Sequence, residues 1–203
     1  MNNKINIDKQ VEILKELGLS DVSEDIVELT KKTLENMPPE VVESMNPITM
    51  LLMYSAHGNY DFDTGVWTPN SSQVYSFDVE VFDIENMYSL FFQGITSING
   101  SEFEISNVVE DMSNVNLEIG QGKRIVSFLY NGQEQLFIAN DNTDWFDVKI
   151  IGFMNGILEQ NGSKKKLYGF SDGYQECIIF YCTKEWAREF TVKTGCALES
   201  STK

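Results

Sequence analysis

Residues 123–140 read KRIVSFLYNGQEQLFIAN and carry the strongest local fold signal in this 203-residue chain. Two apolar runs flank Asn131-Gly132, and an Asn-Gly pair favours a two-residue hairpin turn because both of its residues accept positive φ. We therefore predict an antiparallel hairpin closed by this turn, with side chains alternating between the two faces. On one face the predicted pairs are Tyr130 with Gln133, Phe128 with Gln135 and Val126 with Phe137; on the other they are Leu129 with Glu134, Ser127 with Leu136 and Ile125 with Ile138.

A second hairpin is predicted at 166–182, where two apolar runs are joined through residues 171–174. Elsewhere apolar residues recur at intervals of three and four, which is typical of amphipathic helices. Hairpins with helices between them favour an antiparallel or mixed sheet covered by helices. The sequence thus predicts an α+β fold: a helical N-terminal segment followed by an antiparallel or mixed β-sheet, with hairpins 123–140 and 166–182 and helices packed on it.

Two regions are expected along the chain. Residues 1–57 form a mostly helical N-terminal region, with Ser23 and Pro39 at helix starts and Asn46-Pro47 opening another helix. Residues 58–203 form an α+β domain that packs with the first region as one compact unit. Within it we predict a loop at 58–72, a strand at 73–82, a helix capped by Asp83, a helix at 145–160 capped by Asp144, and a last helix capped by Thr183.

The charge of the chain is far from balanced. There are 31 acidic and 15 basic side chains, which gives a net charge of −16. No Lys or Arg occurs between Lys32 and Lys123. Such a surplus argues against nucleic-acid binding, because attraction to phosphates needs Lys and Arg. It fits a solvated face that maintains solubility, a surface that docks a basic partner, or a site for a divalent cation.

The cysteines and the apolar runs bear on location. Cys177, Cys182 and Cys196 have no paired spacing, so reduced thiols packed as small hydrophobes are expected. The N-terminus lacks the apolar core of a secretory signal. The densest apolar run, 48–54, is far shorter than the roughly 20 residues that a helical membrane span needs. These features predict a cytoplasmic protein without a membrane segment.

Few residues suggest catalysis. His57 is the one histidine, and it stands at a predicted helix end where a cation favours the helix dipole. No Cys and His cluster suits zinc, and no glycine-rich phosphate loop or dinucleotide fingerprint occurs. Residues 59–65 resemble the opening of a calcium loop, but Gly65 is one position late and Asn70 replaces the bidentate Glu. We expect no metal, no cofactor and no catalytic residue.

One alternative acidic site is kept. Asp144 and Asp147 lie three apart at a predicted helix N-terminus, where they either stabilise the helix or act as a general acid and base. Together with Asp172 they represent a carboxylate- or metal-dependent hydrolase or transferase. A structural or phage assembly protein, acidic for solubility alone, is a further alternative.

The sequence favours an acidic, non-catalytic binding protein that covers a basic protein partner, such as a bacterial immunity protein that neutralises a toxin. Trp67 and Tyr60 lie within the acidic loop, where an exposed Trp would anchor an interface or else fold back onto the core. The candidate partner-binding residues are Tyr60, Asp61, Asp63, Trp67, Asp78, Glu80, Glu102, Glu104 and Asp111.

Overall fold

A computed structural model describes residues 6–140, 143–171 and 174–200. Those residues form seven helices and nine strands, which confirms the predicted α+β fold. The helices are α1 (Ile7–Glu16), α2 (Glu24–Asn36), α3 (Pro39–Ser44), α4 (Pro47–Ala56), α5 (Met87–Ser97), α6 (Lys149–Gln160) and α7 (Lys184–Thr194). The strands are β1 (Asn59–Asp61), β2 (Val66–Thr68), β3 (Tyr75–Asp78), β4 (Ile105–Asp111), β5 (Val115–Asn116), β6 (Gln121–Tyr130), β7 (Gln133–Asn140), β8 (Lys165–Ser171) and β9 (Glu176–Thr183).

The helix starts follow local capping chemistry. The Ser23 side chain accepts a hydrogen bond from the Ile26 amide, and Pro39 and Pro47 occupy the first turns of α3 and α4. Thr183 caps α7 through the Trp186 amide, as predicted. No helix among the described residues combines the length and apolar character that crossing a membrane requires.

The predicted hairpin of 123–140 is confirmed in every pair. β6 and β7 pair antiparallel, with Val126 opposite Phe137 and Ile125 opposite Ile138. Asn131 and Gly132 both have positive φ, at 48° and 78°. β4 and β5 pair with the other side of β6, which yields a four-stranded sheet.

The second hairpin is also confirmed, since β8 and β9 pair antiparallel from Lys165 opposite Thr183 to Ser171 opposite Cys177. β3 lies on the other side of β9 and completes a three-stranded sheet. One core joins α5 and α6 to both sheets. A second core joins α1 and α4 to β9 and α7, so it draws on residues from both sides of position 57.

Three predicted elements need correction. Residues 58–72 are not a plain loop, because β1 and β2 form a short hairpin there. The strand predicted at 73–82 ends at Asp78. The helix predicted from 145 begins at Lys149, and its N-cap is Val148 rather than Asp144. The reason is long-range pairing: the Val81 amide donates to the Asp144 carbonyl at 2.7 Å, and the Phe146 amide donates to the Val79 carbonyl at 2.8 Å.

The start of α5 is also corrected. Asp83 was expected to cap this helix, but its carboxylate accepts the Asn86 amide in the turn before it. The cap comes from Glu110 on β4, whose Oε1 accepts the amides of Tyr88 at 3.1 Å and Ser89 at 2.8 Å. Arg124 on β6 donates to Glu110 Oε2 at 3.0 Å. A buried ion pair therefore ties the sheet to the first turn of α5.

Candidate functional site

Residues 46–122 contain no Lys or Arg, and most of their carboxylates form no ion pair among the described residues. These residues contain eleven acidic side chains. Glu102 pairs with Lys165, and Glu110 pairs with Arg124. In the part of the chain that the structure describes, no ion pair with Lys or Arg forms at the others: Asp61, Asp63, Asp78, Glu80, Asp83, Glu85, Glu104, Asp111 and Glu118. Their negative potential is therefore uncompensated within the described protein.

The β1–β2 hairpin carries two of these carboxylates, Asp61 in β1 and Asp63 in the turn. Tyr60 and Trp67 lie opposite each other in it. Trp67 is half-buried against the core, with its ring centroid 5.6 Å from that of Tyr75. Its ring lies so close to Gly58 that a Cβ there would be 2.3 Å from it. Of the two roles considered for Trp67, the structure shows the one in which it folds back onto the core.

Three aromatic residues form an exposed cluster beside this hairpin; we call Tyr60, Phe62 and Phe82 the aromatic triad. The Tyr60 ring centroid is 5.1 Å from that of Phe62 and 4.7 Å from that of Phe82, and the two phenylalanines are 5.6 Å apart. Phe62 is 80% exposed and Phe82 is 61% exposed. A contiguous patch of exposed aromatic rings marks a candidate interaction site.

Carboxylates neighbour the aromatic triad in the chain, and one of them is hydrogen-bonded to it. Asp61 and Asp63 flank Phe62, while Asp83 follows Phe82 and accepts a hydrogen bond from the Tyr60 hydroxyl at 3.1 Å. Asp61 Oδ1 accepts the amides of Asp63 at 2.8 Å and Thr64 at 3.2 Å. These bonds lower the pKa of Asp61, the Asp63 amide contributing most, so its carboxylate remains anionic well below neutral pH.

The other predicted partner-binding residues are spread over the molecule. Glu80 lies two residues before Phe82, and its carboxylate contacts the side-chain amide of Gln175. Asp78 lies opposite Glu176 at the end of β3. Glu102 bonds Lys165 and the Tyr181 hydroxyl, and these contacts, led by Lys165, lower its pKa.

Glu104 and Asp111 lie at opposite ends of β4. The strand has seven residues, so about 20 Å separate its ends at the usual rise per residue. Glu104 and Asp111 therefore lie too far apart to contact the same partner side chain.

Phe62, Phe82 and Asp83 were missed by sequence analysis. One signal was visible, because Phe62 is an aromatic residue between two aspartates in a polar segment. Phe82 was assigned to a strand that ends before it, and nothing local indicates that it meets Phe62.

The alternative acidic site is engaged in local structure. Asp147 is buried, and its oxygens accept the amides of Asn140 at 3.0 Å and Lys149 at 3.2 Å. Asp144 accepts the Thr143 hydroxyl at 2.7 Å. Asp172 lies outside the described residues. Within the ranges described, no group of three or more His, Cys, Asp or Glu side chains is arranged to hold a metal ion.

The described thiols and the one histidine have shifted pKa values. Burial raises the pKa of Cys177 and Cys182 to about 12 and also raises that of Cys196, so these thiols stay protonated at neutral pH. His57 Nδ1 lies 3.7 Å from Glu176 Oε1, and this nearby carboxylate raises the His57 pKa because its negative charge favours the protonated ring. The buried Ser76 hydroxyl has no hydrogen-bond partner among the described residues, and Ser76 forms an isolated β-bridge with His57.

A large cleft lies apart from the aromatic triad, between α4, α6, the β8–β9 hairpin and the segment after α7. It measures about 940 Å³ and is lined by residues that include Met45, Phe170, Glu176, Cys177, Cys196 and Glu199. Comparison of the chain with protein-family models, with curated proteins and with solved structures gives no match.

Proposed function

We propose that this protein is a non-catalytic binding protein whose acidic surface covers a basic protein partner, in the manner of an immunity protein that neutralises a toxin. One observation carries the proposal: an exposed aromatic cluster lies among carboxylates that have no cationic partner in the described structure. A basic partner supplies the missing cations, and its contact with the rings removes apolar surface from water.

Electrostatics favours this kind of partner. Opposite potentials speed the encounter of two proteins and fix their relative orientation. The attraction between exposed charges is screened by salt, over a length of about 10 Å at 0.1 M ionic strength. The proposal therefore requires an affinity that weakens as salt rises.

The protonated thiols and the hydrogen-bonded Asp147 carboxylate support a non-catalytic role. The described cysteines are free and buried, and burial keeps their thiols protonated. Free thiols also fit a reducing compartment, so the proposal includes a cytoplasmic location. The Asp147 carboxylate, which the hydrolase alternative needs as an acid or base, instead bonds two backbone amides.

The test is capture from native lysate with the purified protein as bait, followed by measurement of the affinity of the purified pair. The expected result is a single basic protein released by high salt. The variant Asp61→Asn/Asp63→Asn, which removes two negative charges, should bind this partner more weakly, mainly through slower association. Glu12→Gln is the matched control, because Glu12 is exposed on α1 and makes no ion pair among the described residues. Salt-independent binding, or equal affinity of both variants, would contradict the proposal.

A second candidate, an assembly protein, is favoured by a different surface. The outer face of the four-stranded sheet exposes Val109 (57%), Leu136 (55%) and Ile138 (55%). β7 is an edge strand, since it pairs with β6 alone in the described structure. An antiparallel edge can pair with its own copy across a two-fold axis, so the occupant is a second copy of this chain. Light scattering that shows a dimer, lost in Leu136→Thr/Ile138→Thr, would support it; a monomer at micromolar concentration would exclude it.

A further inference from the structure

We infer that the aromatic triad seats an arginine side chain of the basic partner, with Asp61, Asp63 and Asp83 as the carboxylates that face its guanidinium. This inference rests on the proposed function and adds the chemistry of the central contact. It follows from the preformed rings, the carboxylates next to them in the chain and the absence of a cation at this place among the described residues.

The triad is assembled before any partner binds. Tyr60 is half-buried and lies opposite Trp67, which packs on the core and fixes the hairpin. The Tyr60 hydroxyl donates to Asp83, and both phenylalanine rings contact the Tyr60 ring edge-on. Rings that are already in place lose little side-chain freedom on binding, so more of the contact energy appears as affinity. Phe62 and Phe82 are exposed aromatic side chains of the kind that anchor interfaces.

An arginine fits this site better than a lysine. The guanidinium is planar, stacks on aromatic faces and pairs with carboxylates through two parallel N–H bonds. A lysine ammonium is compact and strongly hydrated, so it gains less from aromatic faces that remain partly wet. The triad offers ring faces, and Asp61 and Asp63 next to Phe62 offer exposed carboxylates.

The chain itself uses cations on aromatic rings, but elsewhere. Arg124 lies 5.8 Å from the centre of the Tyr88 ring, and Lys165 lies 5.3 Å from that of Tyr181. Among the described residues no such contact occurs at the triad, and the sequence has no Lys or Arg between Lys32 and Lys123. The site therefore has aromatic and acidic components and lacks the cation that would complete it.

The test compares two synthetic peptides of equal length and charge, one with arginine and one with lysine as its basic residues, spaced by glycine and serine. Binding to the full-length protein is measured by calorimetry at low salt, and backbone amide NMR shifts locate it. We expect the arginine peptide to bind about three-fold to thirty-fold more tightly, as one cation–π contact permits. The shifts should centre on 59–68 and 79–85.

The variant Phe62→Ser/Phe82→Ser should erase the preference for arginine and leave the lysine affinity unchanged, because both rings are largely exposed and their loss does not disturb the core. Val192→Ser is the matched control: Val192 is 84% exposed on α7, and its loss should leave both affinities unchanged. Melting curves confirm that each variant folds. Equal affinity for the two peptides, failure to bind either peptide, or a preference that survives in the double variant would overturn the inference.

The failure of this inference is distinguishable from that of the proposed function. If a salt-sensitive basic partner is captured from lysate but the wild-type protein binds both peptides equally, the acidic surface acts by charge alone and the arginine anchor is wrong. If the arginine preference depends on the triad but the captured partner binds independently of salt, the anchor stands and the electrostatic account of the partner is wrong.

Discussion

Replacing Arg124 with Met tests how this fold tolerates a buried charge. Arg124 is 1% exposed, and its Nη1 donates to Glu110 Oε2 at 3.0 Å and to the Ile84 carbonyl at 2.5 Å. Met fills much of the same volume but leaves the Glu110 carboxylate, whose side chain is 4% exposed, without its counter-ion. Removing one partner of a buried ion pair costs about 3–5 kcal/mol of unfolding free energy.

The lower end of that range is expected here. Glu110 keeps three hydrogen bonds in the variant, from the Tyr88 amide, the Ser89 amide and the Ser89 hydroxyl. A loss of about 3 kcal/mol lowers the melting temperature of a domain of this size by about 6–12 °C. Burial already raises the pKa of Glu110, and loss of Arg124 raises it further. The folded variant therefore takes up a proton more readily than the unfolded chain, so its deficit shrinks as the pH falls toward the raised pKa of Glu110.

The assay is urea unfolding of four proteins: the wild type, Arg124→Met, Glu110→Gln and the double variant. The two substitutions should couple by about 1–3 kcal/mol, because each one alone leaves a buried group without its partner. The buried ion pair is contradicted if the two losses of unfolding free energy simply add. It is also contradicted if the loss caused by Arg124→Met is the same at pH 7 and at pH 5.

Three further predictions concern other parts of the molecule. Gly58→Ala places a Cβ 2.3 Å from the Trp67 ring. We expect it to lower the unfolding free energy by about 1–3 kcal/mol and to shift the tryptophan fluorescence. Unchanged stability would show that the hairpin does not depend on this close approach. Phe62→Ser should change stability by less than about 0.5 kcal/mol while weakening partner binding, since Phe62 is 80% exposed; a large loss of stability would show that the triad is structural. The single His57 should titrate by NMR above its usual pKa of 6.5, and in Glu176→Gln its pKa should return toward that value; an unshifted titration would exclude the ion pair. The stability that this ion pair contributes is present below pH 6.5 and is lost as the pH rises through the raised pKa.

The sequence predicted the elements whose signals are local. The β6–β7 register follows from one turn dipeptide and the alternation of side chains, and both act within 18 residues. The caps at Ser23 and Thr183 follow from a hydroxyl that reaches an amide three residues on. Such features do not depend on the rest of the fold.

Features made by distant residues were missed. Glu110 caps α5 from more than 20 residues away, so Asp83, the nearer residue, was assigned that role instead. The 144–146 segment pairs with 79–81, which delays the start of α6. The aromatic triad brings together Phe62, from the β1–β2 hairpin, and Phe82, which follows β3. The strands of that hairpin have three residues each, too few to show a clear alternation of apolar and polar side chains.

We propose that the acidic surface around the aromatic triad covers a basic partner. The most direct test of this proposal is the affinity of the purified protein for the basic protein it captures, measured across a range of salt concentrations for the wild type, Asp61→Asn/Asp63→Asn and Glu12→Gln. We expect an affinity that falls steeply with salt, a shallower fall for the double variant, and wild-type behaviour for Glu12→Gln. An affinity that is independent of salt, or identical salt dependence in all three proteins, would contradict it.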